Sequence, residues 1–114
     1  MKWAFLLVFL SAPAFAQKTE AELKCKPSGK NLTYDCTIRL TRGGEPLSGA
    51  QVTVGADMPS MPMAHNTRPV KAKPGKNPGE YHARLDLEMQ GEWAVKLRIA
   101  GPVRDQIIKK LDFE

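Results

Sequence analysis

The chain has 114 residues, with 17 Lys and Arg against 12 Asp and Glu for a formal charge of +5. That length supports one domain with one core. The basic excess is small and no Lys/Arg run is interleaved with aromatics, which excludes nucleic-acid recognition as a function.

The first segment is a leader. Lys2 precedes an apolar run from Trp3 to Leu10, and Ala14-Phe15-Ala16 supplies a small-residue cleavage element. The apolar run is far too short to span a bilayer. Residues 1–16 are therefore expected to be a cleaved secretory signal, with residues 17–114 a single exported domain, periplasmic in a bacterium and not inserted in the membrane after cleavage.

A first strand is expected over 20–26 and a second over 31–41, where Leu32, Tyr34, Cys36, Ile38 and Leu40 alternate with polar residues. Between them, Pro27-Ser28-Gly29-Lys30-Asn31 is turn chemistry. If the two runs pair as a hairpin, Cys25 and Cys36 stand opposite one another. An oxidising compartment then favours a structural disulfide over a thiolate metal ligand or redox pair. Gly43-Gly44-Glu45-Pro46 ends this hairpin as a turn.

A third strand over 50–56 places Val52, Val54 and Ala56 on one face. It runs into Met58-Pro59-Ser60-Met61-Pro62-Met63-Ala64-His65, which holds three of the five methionines and one of the two histidines. Thioether sulfur is a soft ligand, so this cluster suits Cu(I) better than any hard cation. Pro59 and Pro62 bias Met58 and Met61 toward extended or polyproline backbone. A polyproline turn would align Met58 with Met61, whereas an extended segment would align Met61, Met63 and His65. Stiffening by proline lowers the ordering entropy lost on binding a cation. Two other readings stay open: adaptable methionines plugging the end of a sandwich, or an apolar docking surface for a partner.

A fourth strand is expected over 66–73, at a sheet edge because of Pro69. Its Arg68, Lys71 and Lys73, with Lys76 beyond, read as a solvated basic face rather than a docking surface for an acidic partner. Strands follow over 80–88, 92–100 and 105–113, the last with Lys109 on its apolar side. About seven short strands with regular turn signals make an all-β chain, an immunoglobulin-like β-sandwich. Alternating strand directions put the 27–30 turn, the 57–65 loop and the 89–91 turn at one end. Met58 and Met89 then lie over the rim of the core at that pole. His82 is expected to be a solvated surface histidine far from it, and Trp93 a core residue whose rim position leaves a cation–π contact open.

Gly79-Glu80-Tyr81 and Met89-Gln90-Gly91-Glu92-Trp93, downstream of the Met-rich loop, make the chain resemble the YtkA-like (FixH-like) domain family over about residues 36–100. The resemblance implies an immunoglobulin-like sandwich, export, and an association with copper handling or cytochrome oxidase maturation. It carries a Met-x-x-Met-x-Met-x-His spacing onto Met58, Met61, Met63 and His65, and a Met-x-Gly-x-Trp element onto Met89. Members often bear an N-terminal membrane helix. A cleavable signal in its place favours a soluble carrier.

No enzyme is expected. His65 is the only candidate base, Asp57 and Glu92 are solvated carboxylates without a cleft, and a zinc site would need more His or Cys. The expected function is a periplasmic Cu(I) carrier with ligands Met61, Met63 and His65 first, then Met58 and Met89. It would exchange copper with a periplasmic or inner-membrane copper protein. The alternative is a non-metal module, accessory to oxidase assembly or efflux, that docks through the same loop.

Overall fold

The computed structural model describes residues 18–61 and 67–114. The expected leader lies outside them, as do Met63 and His65. Alternation of apolar and polar side chains produces two antiparallel sheets packed face to face, an all-β immunoglobulin-like sandwich. The elements are β1 (Thr19–Pro27), β2 (Thr33–Arg42), β3 (Glu45–Pro46), β4 (Gln51–Asp57), β5 (Val70–Lys71), β6 (Lys73–Pro74), β7 (Glu80–Asp86), β8 (Gly91–Ala100) and β9 (Asp105–Phe113). One sheet runs β1-β2-β7-β6, with β3 added to the end of β2; the other runs β5-β4-β8-β9. No helix among the described residues is long and apolar enough to cross a membrane.

The core is the set of inward positions that the period-2 pattern marks. Ile38 and Leu40 of β2, Tyr81 and Leu85 of β7, Val52 and Val54 of β4, and Trp93, Val95, Leu97 and Ile99 of β8 are all buried. Each removes most of its apolar surface from water, worth about 1.5–3 kcal/mol per large side chain. The Tyr81 hydroxyl donates to the Leu47 carbonyl at 2.8 Å and accepts from the Ala50 N–H at 3.0 Å. It therefore pins the connection that carries the chain from one sheet to the other. Gly79, at φ +75°, sits so close to the Leu40 carbonyl that an added Cβ would stand 2.7 Å from that oxygen.

The β1–β2 register places Cys25 directly opposite Cys36, and the two form a disulfide with their Cα atoms 4.0 Å apart. This is the hairpin pairing expected from the spacing. Cys36 is buried beside β7 and Cys25 half-buried on the edge strand.

Two expected elements form differently. The Glu45–Pro46 turn residues pair with Thr41 and Arg42 as a short strand. The 66–73 strand, in its described part, is two strands of two residues each in different sheets. Val70 and Lys71 pair with β4, then the chain crosses at Ala72 so that Lys73 and Pro74 pair with β7. Pro69 does sit at an edge, its ring 3.9 Å from where a Gly55 Cβ would be.

Candidate metal-binding pole

The ends of the sandwich are sorted as alternating directions require. Thr33, at the start of β2, pairs with Asp86 at the end of β7, and the Leu87 N–H donates to the Leu32 carbonyl. Tyr34 and Phe113 stack edge to face at 4.8 Å, and the Tyr34 hydroxyl donates to the Glu114 carbonyl. These contacts bring the 28–32 turn, the end of β4, the 87–90 connection and the end of β9 to one pole. Met58, Met61 and Met89 all belong to it.

Their settings differ. Met58 continues the inward parity of Val52, Val54 and Ala56 and is 5% exposed, so it is a core residue and not a side chain standing over the rim. Its carbonyl accepts the Met61 N–H at 3.1 Å, closing a turn with Pro59 and Ser60 in the middle. Proline presets φ for the first central position of such a turn. The polyproline arrangement that would align Met58 with Met61 does not form; the turn sends one methionine inward and the other outward. Met61 is 39% exposed, one of two large apolar side chains open to solvent among the described residues.

Space for the Met58 side chain comes from a distant glycine. A Cβ on Gly91, at φ +134°, would lie 3.1 Å from the Met58 methyl carbon. Gly91 therefore lets the thioether reach across to the start of β8, a pairing that no local pattern announces. Met89, two residues earlier, is half-buried against the core. Its carbonyl accepts the Trp93 indole N–H at 3.1 Å, which fixes the 89–93 segment. Trp93 is 0% exposed, so its face is committed to the core and offers no cation–π contact at the surface.

The pole thus has one buried thioether, one exposed and one half-buried. The charged groups nearby are paired or outward: Asp57 bonds Lys96 at 3.3 Å, and Glu92 is exposed. Among the described residues no group of three or more His, Cys, Asp or Glu could hold a metal ion.

His82 lies toward the opposite end, exposed, with Nε2 2.8 Å from Glu80 Oε1 and Nδ1 3.3 Å from Thr37 Oγ1. A hydrogen bond from Asn77, then one from His82, holds the Glu80 carboxyl below its ordinary value. This is a surface polar cluster remote from the methionines.

The family model described as YtkA-like matches residues 14–98. Neither a curated protein nor a solved structure matches the chain.

Proposed function

The chain belongs to the YtkA-like family, and we propose that it is an exported copper-binding protein that carries Cu(I) at the methionine-bearing pole. The observation that supports this most is the meeting of two separate loops, 58–61 and 87–90, each bringing methionine to one end of a rigid sandwich. Met61 faces solvent where a cation could be received and released. We assign Met61, Met63 and His65 as principal ligands, then Met89, with Met58 holding the turn down on the core. Thioethers bind without losing a proton, and only the imidazole couples binding to pH. Such a neutral site suits transfer of copper as cargo to a periplasmic or inner-membrane copper protein. The Cys25–Cys36 disulfide fits an oxidising compartment such as the periplasm.

The test is a Cu(I) titration against a chromogenic chelator. Met61→Ala/Met63→Ala should weaken binding by about tenfold or more, which is about 1.4 kcal/mol or above. Met61 is exposed, so the fold should survive the change. Equal affinity in wild type and variant would remove the loop from consideration. The same competition run from pH 8 to pH 5 should show binding weaken below about pH 6, as the His65 imidazole takes up a proton. A flat profile would take His65 out of the ligand set.

A further inference from the structure

The strand switch at Ala72 leaves part of one sheet without a neighbouring strand among the described residues. Lys73 stands opposite His82 and Pro74 opposite Tyr81. Had that ladder continued, Lys71 would stand opposite Arg84 and Pro69 opposite Asp86; instead both residues run alongside β4. Backbone direction along β7 follows from two bonds. The Gly79 carbonyl is bonded from β2, while the Glu80 carbonyl accepts the Gly75 N–H on the other side. Even-numbered residues of β7 therefore aim their N–H and C=O groups away from β2. For Arg84 and Asp86 they aim into the gap that the chain has left.

That gap is a groove. Two adjoining hollows of about 630 and 730 Å³ share Val70 and Arg84 as walls and run along β7. The cations around it are Arg68, Lys71, Lys73 and Arg84, with His82 at one end. Its carboxylates are engaged: Asp35 accepts from Arg84 Nε at 2.9 Å, Asp86 accepts from Thr33 Oγ1 at 2.8 Å, and Glu88 has a partner of its own. Arg68, Lys71 and Lys73 are exposed and make no ion pair with any described residue. Two edges of the other sheet are managed differently. The edge of β4 is filled by Val70 and Lys71 and by bonds from Thr67 and Ala72. β9 carries Lys109 on its inward face, which discourages pairing.

From this juxtaposition we propose that the open edge of β7 at Ala83–Asp86 receives an extended, carboxylate-rich segment of a protein partner by strand addition. Main-chain bonds to Arg84 and Asp86 supply the docking, and Arg68, Lys71 and Lys73 select acidic side chains. The groove reaches the methionine pole at its Asp86 and Glu88 end, but the backbone groups and lysines it uses hold no methionine, so docking does not depend on copper.

An acetylated peptide of about eight residues alternating Glu and Val, long enough to cover the edge, is titrated into the ¹⁵N-labelled protein. Saturable shifts at the Arg84 and Asp86 amides are expected, weakening as salt screens the cations. Lys71→Glu/Lys73→Glu, both exposed, should reduce affinity about tenfold. If that variant fails to overlay on the wild-type spectrum elsewhere, Arg68→Glu and the salt series carry the test. The proposal is overturned by shifts confined to other edges or absent, or by equal binding of a Lys/Val peptide. It is also overturned if phosphatidylglycerol vesicles produce the shifts and the peptide does not, or if dilution alone moves them, which would mark a second copy as the occupant.

Discussion

Trp93→Ala should cost about 3–5 kcal/mol of stability, the range for deleting a fully buried large aromatic. Trp93 is the largest of the completely buried side chains, and β8 sits between β4 and β9 at the centre of its sheet. The missing indole leaves a void in a closely packed face, because Val95, Leu97 and Ile99 on the same strand are equally buried. The loss has a second part. The indole N–H is bonded to the Met89 carbonyl, so truncation also frees the 87–90 connection. Trp93→Phe separates the two effects. It keeps most of the apolar volume, so the variant should fold, yet it leaves the Met89 carbonyl without that donor, worth about 1–3 kcal/mol if the group stays buried. Chemical denaturation reads the stability, and amide exchange at residues 89–91 reads the local release. Unchanged exchange in Trp93→Phe would show that the bond does not hold the pole in place.

The indole bond also shows where sequence reasoning reaches and where it stops. Alternation in 33–42, 51–57, 80–86 and 91–100 specifies which side chains face inward, because the strand period is two and only one face is buried. The same parity placed Met58 on the inward side. Whether an inward residue past the end of a strand is covered depends on what faces it across the pole, and that is settled by Gly91 having no Cβ, 33 positions along the chain. The Met-rich motif was legible as a motif; that its first member belongs to the core and its second to the surface was not. Cys25 and Cys36 were legible because the hairpin spacing sets them opposite one another. The crossing at Ala72 was hidden for a related reason. Val70 and Lys73 each join a ladder only two residues long, so neither stretch has a pattern of its own, and the partners lie in different sheets. Pro69 announced an edge but not which strand the edge belonged to.

The same crossing gives the tip and the flank of the molecule different work. At the methionine pole the loops close over the core, with Met58 beneath the 58–61 turn. Along β7 the chain withdraws, and backbone groups face a basic groove. If both proposals hold, a partner's acidic segment could be docked on the flank while the cargo is presented at the tip. Reversing Lys71 and Lys73 should then leave Cu(I) affinity unchanged, because neither lysine belongs to the methionine pole.

Reducing the Cys25–Cys36 bridge should lower stability by about 2–3 kcal/mol, the loop-closure value for a short ring. The separation of 11 residues keeps the entropic part small. The native-state consequence is regional. β1 lies at the edge of its sheet, and its Leu23 and Cys25 are only half-buried, so the bridge ties a thinly packed strand to Cys36 in the well-packed β2. Without it, β1 should fray first. Amide exchange at Glu22 and Lys24, whose N–H groups face β2, should therefore accelerate by tenfold or more, about 1.4 kcal/mol of local opening, while exchange at Val95 and Leu97 follows only the global loss. Guanidinium unfolding of the oxidised protein, the reduced protein and Cys25→Ala/Cys36→Ala provides the comparison. The double variant should fall somewhat below the reduced wild type, because alanine at the buried Cys36 position also leaves a small void. Equal unfolding midpoints for oxidised and reduced protein would mean that the hairpin register, and not the covalent link, holds β1 in place.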